Sequence, residues 1–305
     1  MENQELACFQ SVEGLDMRLL TLKYVTIEIN GEPLRVRVQT YNDDPSKKTL
    51  VMTHGFLSAS VFFARLLPTI GKHYRIVMFD NLGFGLNDRT DNVGDGCENP
   101  EKAEKWIVEW LEKVVEACEL PRKFYFSGHS AGGAMVMLYA SYHPERIEGL
   151  FLQSPAAAED ETSENFKYDP YTLRNEDHAD VLPSRKTVDE TLAAYRDKVH
   201  IMTKLAKVPF WLRRRLVGGN MRKNTLKPEV FTPGYVEAAI RYWSLMNERL
   251  GRQDVVLMVW TYFLGHLHNS LFTRERMLQD FDFPIAFCNG TRDFFGSADG
   301  SNTIV

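Results

Sequence analysis

The sequence is short of basic charge. Its 36 Lys and Arg stand against 41 Asp and Glu, a formal net charge of −5. Nucleic acid wants a basic face, so the balance argues against such a partner. Cysteine is scarce as well. Cys8, Cys97, Cys118 and Cys288 lie far apart with no CxxC pairing. That excludes a zinc framework and leaves reduced thiols in a cytoplasmic setting as the expectation. The opening MENQELACFQSVEGLDMRLL has neither a basic stretch nor an unbroken apolar core, so no secretory signal is read there. The longest apolar run, VVLMVWTYFLG at 255–265, is too short for a bilayer and reads as a buried helix. Internal repeats and low-complexity tracts are absent. What is left, 44% hydrophobic and 25% charged over 305 residues, suits a soluble globular protein with one large domain, or one domain carrying an insertion.

Alternation is the first positive signal. LKYVTIEINGEPLRVRVQTY switches between apolar and polar residues around Asn30-Gly31, which predicts a β-hairpin with a tight turn. TLVMTHGF and YRIVMFDNLGFG are short apolar runs ending in glycine-containing turns, as strands buried on both faces do. In EKAEKWIVEWLEKVVEACEL the residues Ala103, Trp106, Ile107, Trp110, Leu111, Val114, Val115 and Cys118 recur at helical spacing and predict a helix with one stripe on a core. A strand at Phe124–Ser127, a helix from about Ser130 to Tyr142 and a strand at Leu150–Gln153 follow. Strands alternating with helices predict an α/β fold, a mostly parallel sheet with helices on both faces. From about Ala156 to Asp282 the periodicity is helical, and FPIAFCNG at 283–290 returns to the sheet. The expected organisation is therefore a first core segment at 1–155, an α-helical cap at 156–282 and a second core segment at 283–305.

The chemistry centres on Gly128-His129-Ser130-Ala131-Gly132. A serine between two glycines, after a strand and before a helix, is the pattern of a nucleophile elbow. The turn lifts the Ser130 hydroxyl above the sheet, and the helix behind it points its first amides at developing negative charge. Thr53-His54-Gly55-Phe56 closes an earlier strand, so the Phe56 amide is set to pair with the Ala131 amide as an oxyanion hole. Such donors are worth about 10²–10³ in rate each. Asp80–Gly85 supplies a second loop at the same rim. His54 is expected to brace its loop by hydrogen bonding, and His129 to flank the serine within the elbow.

With His54-Gly55, the Asp80–Gly85 loop and Gly128–Gly133 in view, the chain resembles the α/β-hydrolase superfamily. FDNLGFGLNDR and the helix KWIVEWLEKVVEACEL narrow the resemblance to the lysophospholipase and lipase-coactivator subgroup, α/β-hydrolase-domain types four and five. It is specific over about 51–155 and returns at 283–293. The resemblance implies a capped serine hydrolase acting on lysophospholipid or acylglycerol esters, with no metal and no cofactor. It also implies that some members serve as lipase activators without the serine, which is kept here as Ser130. The acid of such a site follows the strand after the cap, which makes Asp293 in FCNGTRDFF the candidate and Asp299 its fallback.

The base is what the pattern lacks. In this fold the order is serine, acid, histidine, and none of the eight histidines lies beyond His268. Three accounts stay open. The chain is incomplete and truncated before its last strand, histidine and helix; or it is a catalytically silent scaffold binding lipid or a protein partner; or His266 or His268 in LGHLHNS acts from the cap. Without a base, such a triad loses about 10⁶ in turnover and keeps about 10³–10⁴ over water.

The cap also carries the substrate signals. Phe210 and Trp211 stand beside Arg213, Arg214 and Arg215, with Arg222, Lys223 and Lys227 after them. Aromatics next to basic residues fit contact with anionic headgroups, at a membrane or lipid-droplet surface reached from the cytoplasm, and equally fit a solvated helix face. VVLMVWTYFLG is expected to be cap core or the lining of an acyl pocket.

Overall fold

The computed structural model describes residues 1–56, 58–81, 83–96, 98, 100–156, 207–227, 230–246 and 281–289. Asp293, Asp299, His266, His268 and the run 255–265 lie outside the described residues.

Strands β1 (Leu20–Ile29), β2 (Glu32–Tyr41), β3 (Lys48–Thr53), β4 (Tyr74–Phe79), β5 (Phe124–His129), β6 (Ile147–Gln153) and β7 (Ile285–Cys288) form one sheet. Their order is β1-β2-β4-β3-β5-β6-β7. The β1–β2 hairpin turns at Asn30 (φ 50°) and Gly31 (φ 76°), the paired positive values that a two-residue turn needs. β2 runs antiparallel to both β1 and β4, and every other pairing is parallel. The α/β expectation therefore holds, and β7 returns to the sheet beside β6 as the sequence predicts.

Alternating side chains send the central strands into two cores. Val51, Val77, Phe79, Phe124 and Phe126 face helices α3 (Pro100–Ala117) and α4 (Ala131–Tyr142). Aromatic rings meet edge to face there: Phe79 with Trp110 at 5.9 Å, Phe126 with Tyr139 at 5.7 Å. Leu50, Met52, Ile76 and Met78 face the other way, under α1 (Glu2–Gln10), the 3-10 turn Ser60–Leu66, α2 (Leu67–Ile70) and α6 (Pro233–Met246).

Helix α1 has no helical periodicity in its apolar residues, and the sequence reading passes over it. It buries Cys8 and Phe9, and also Glu5, which is fully enclosed. Glu5 pairs with the buried Arg37 of β2 and accepts a hydrogen bond from Gln39 at 2.8 Å. A carboxylate leaves water at a cost of several kcal/mol, which the guanidinium and amide donors offset. Burial still holds Glu5 above the usual carboxylate range, against the opposing pull of Arg37.

Between β6 and β7 the described residues include α5 (Phe210–Asn224) and α6. α5 packs on α6, and α6 on α1. Arg65 donates to the Val230 carbonyl, and Arg89 to the Met246 carbonyl at 2.8 Å, so core side chains hold both ends of the α6 segment. Among the described residues no helix is long and apolar enough to cross a membrane.

Candidate active site

Ser130 sits where β5 turns into α4, with φ 54° and ψ −125°. An L-residue in that region costs about 1–3 kcal/mol and persists only where its surroundings over-determine it. They do so here. The Ser130 amide donates to the Gln153 carbonyl at 3.0 Å, and the Ser130 carbonyl accepts from Gly133 (2.9 Å) and Ala156 (3.0 Å). The clamp comes from the exit of β6, which bends at Ser154 (φ 42°) and whose Ser154 amide donates to the Cys288 carbonyl at 2.9 Å. The sequence reading did not single out the stretch Gln153–Ala156. Serine and alanine in a strand exit carry no signal by type, and the role is made by their backbone.

The glycines of the motif mark where backbones touch. A Cβ on Gly128 would stand 2.3 Å from the Gly132 carbonyl oxygen, and one on Gly132 would stand 2.4 Å from that of His54. A Cβ on Gly55 would stand 2.8 Å from the Ser130 Cβ. Absent side chains thus bring the end of β3, the elbow and the head of α4 together, with Thr53 opposite Gly128 in register. This puts Phe56 on the loop against Ser130 and Ala131 at the start of α4, ahead of the i→i−4 ladder. Ser130, Phe56 and Ala131 are each partly exposed, while Gly128 and Gly132 are buried.

His54 is buried, and both its ring nitrogens are committed. Nε2 accepts from the Asn81 amide at 2.9 Å, so Nδ1 carries the proton and donates to the Gly55 carbonyl at 2.7 Å. Burial pushes its pKa down to about 4. It is a neutral strut, as the sequence reading expects, and a poor base. Asn81 Nδ2 completes the brace with a 2.6 Å bond to the His54 carbonyl, and Phe84 packs edge to face on Phe56 at 5.3 Å. The Asp80–Gly85 loop is fixed in turn by the buried Asp80 carboxylate, which accepts from the Ser60 amide (2.8 Å) and the Leu86 amide (3.0 Å). Loss of hydration holds Asp80 above its ordinary range despite those donors.

His129 is exposed, with Nδ1 3.2 Å from the position of a Gly55 Cβ. His143 stacks on Tyr139 at 4.8 Å, on the far end of α4.

The model of the alpha/beta hydrolase fold family matches residues 48–245. The chain belongs to that family. Over 127 residues it is 31% identical to a 1-acylglycerol-3-phosphate O-acyltransferase of Arabidopsis thaliana, covering 42% of this chain and 29% of the relative. Over 162 residues it is 28% identical to the abhydrolase domain-containing protein abhd-5.2 of Caenorhabditis elegans, covering 50% of this chain and 35% of the relative. The matched stretch therefore spans about a third of the length of these curated relatives. Among solved structures, a hydrolase from Pseudomonas aeruginosa superposes with a TM-score of 0.54 at 16% identity, covering 93% of this chain and 85% of the other. At that identity the likeness speaks for the fold.

Proposed function

We propose that the chain is a serine hydrolase cleaving a carboxylic ester of a lipid, a lysophospholipid or acylglycerol, through an acyl-enzyme on Ser130. One observation carries the reading. Ser130 is held at φ 54° in a strand-to-helix turn whose glycine neighbours exclude side chains from the approach. Strain of that kind gathers at functional sites, and here it falls on the serine of the elbow pattern, at the head of a helix.

The steps follow. The Ser130 oxygen bonds to the ester carbonyl carbon as its proton passes to a histidine imidazole, for which this sequence offers His266 or His268. The developing oxyanion is met by the Phe56 and Ala131 amides. The alcohol leaves with the proton, and water then attacks the acyl-enzyme and frees the acid. Asp293 is the carboxylate assigned to orient the imidazole and stabilise its charged form. The lipid class is supported by the relative named for 1-acylglycerol-3-phosphate.

A second reading has its own observation. His54, buried beside the elbow, is held neutral and has both ring nitrogens spent on its loop. A fold without a working base is a scaffold that binds lipid or a protein partner. The two separate on turnover. Fatty acid released from lysophospholipid or monoacylglycerol micelles is followed for the parent chain and for Ser130→Ala. Release that Ser130→Ala abolishes supports the hydrolase. Binding of the same lipids without release, equal in both proteins, supports the scaffold.

A further inference from the structure

The basic stretch of the cap has an orientation that the sequence alone does not give. Arg213 turns inward, 7% exposed, with its guanidinium 5.9 Å from the Phe210 ring centroid. The expectation that Arg213 belongs to a contact surface is corrected accordingly. Val217 and Gly218 share its buried side, where a Cβ on Gly218 would come within 3.3 Å of Ile240 of α6. The outward side of α5 holds Trp211 at 68% exposure and Leu216 at 52%, together with Arg215, Arg222 and Lys223. A tryptophan that open in water is an exception to its usual burial.

Among the described residues the charge on this face is unbalanced. α5 contains no acidic residue. One carboxylate, Glu237 of α6, pairs with Arg214 (2.5 Å), Arg222 (3.2 Å) and Arg241 (2.9 Å), so three guanidiniums share a single negative charge. Arg215 and Lys223 add to the excess. The chain as a whole carries −5. An anionic surface therefore attracts this face and repels the remainder, which sets an orientation as well as an affinity.

We infer that the outward face of α5 docks on an anionic phospholipid surface, with Trp211 and Leu216 entering the headgroup layer and Arg215 and Lys223 meeting its phosphates. An indole beside basic side chains suits that boundary, where one side is apolar and the other wet. The face mixes apolar and basic residues instead of presenting a continuous apolar stripe, so adsorption is shallow and mainly electrostatic. The inference stands apart from the chemistry assigned to Ser130, because adsorption needs no turnover.

Sedimentation with phosphatidylcholine vesicles, with and without phosphatidylserine, tests it on the full chain. Binding is expected only with phosphatidylserine, and it is expected to fall between about 0.1 M and 1 M salt as the Debye length shrinks from about 10 Å to 3 Å. Arg215→Gln and Lys223→Gln should each weaken it about fivefold, and Trp211→Ala should weaken it further. Leu19→Ala, an exposed apolar residue on another surface, should leave it unchanged. Ser130→Ala should bind as the parent does, which separates failure of the docking face from failure of the hydrolase. Binding indifferent to phosphatidylserine, or untouched by the α5 variants, overturns the inference. So does a dimer in solution that Trp211→Ala dissociates, since a second copy would then be the occupant.

Discussion

The two faces of the sheet are closed by different physics. Under α3 and α4 the cover is apolar and aromatic, with Phe79, Trp110, Phe124, Phe126 and Tyr139 in one continuous cluster. Under α1 and α6 the cover is apolar too, but it encloses Glu5, Arg37, Gln39 and Asp80. The first kind of closure tolerates small losses, because each contact is weak and the sum is large. The second concentrates its cost in a few groups, since a buried charge without its partner is worse than none. Ser130 stands between them, at a corner where backbone touches backbone.

The sharpest way to break the contrast is Glu5→Ala. It leaves Arg37 buried without a carboxylate and should cost about 3–5 kcal/mol in urea unfolding. Changing Glu5 and Arg37 together to Met should cost much less. If the double change is the more damaging one, the polar closure is not what holds α1. Next comes the backbone corner. Gly128→Ala drives a Cβ to 2.3 Å from a carbonyl oxygen and should cost about 3 kcal/mol. A Cβ there that leaves unfolding unchanged would mean that the approach of β5 to α4 is looser than drawn.

Acid sharpens the comparison from another side. His54 is held neutral, its pKa down to about 4 from an ordinary 6.5. The unfolded chain therefore takes up that proton first as pH falls. The stability His54 contributes is complete above about pH 6.5 and is lost on the way down to about pH 4, up to about 3 kcal/mol in all. Glu5 and Asp80 act with the opposite sign. Burial raises both, so their contribution is present at low pH and is lost as pH rises through their folded values. Urea midpoints followed across pH 6.5 to 4 should fall less steeply in His54→Gln than in the parent, and equal slopes would contradict the burial of a neutral imidazole. The smallest effect is a gain. Ser130→Gly removes a side chain from a backbone at φ 54° and should raise stability by about 1 kcal/mol. A loss there would show the serine to be structural.

Much of this was legible because the informative contacts are local. The alternation in β1 and β2, the paired Asn30-Gly31, the three-four spacing from Ala103 to Val115 and the glycines around Ser130 each declare themselves within a few residues. Pairing Thr53-His54-Gly55-Phe56 with the elbow was legible through pattern alone, since two glycine-bearing strand ends in an α/β order converge on one edge of the sheet. What escaped is what depends on distance along the chain. Helix α1 puts a glutamate inside, and its partner Arg37 is 32 residues away. Nothing in ENQELACFQ announces that Glu5 will be matched. The Ser154 bend and the Ala156 bond act through backbone groups that every sequence possesses. The inward turn of Arg213 follows from the packing of α5 on α6, which charge counting cannot see.

The reading rests in the end on whether Ser130 is more reactive than a serine has reason to be. An alkyl fluorophosphonate added to the folded chain, followed by digestion and mass spectrometry of the peptide at 124–146, addresses that directly. Ser127 and Ser141 lie in the same peptide and serve as internal standards. The account predicts an adduct on Ser130, absent from both neighbours and lost when the chain is first unfolded in urea. An intact, folded chain that carries no adduct on Ser130 beyond the unfolded control would contradict it, and the fold would then be read as a binding scaffold.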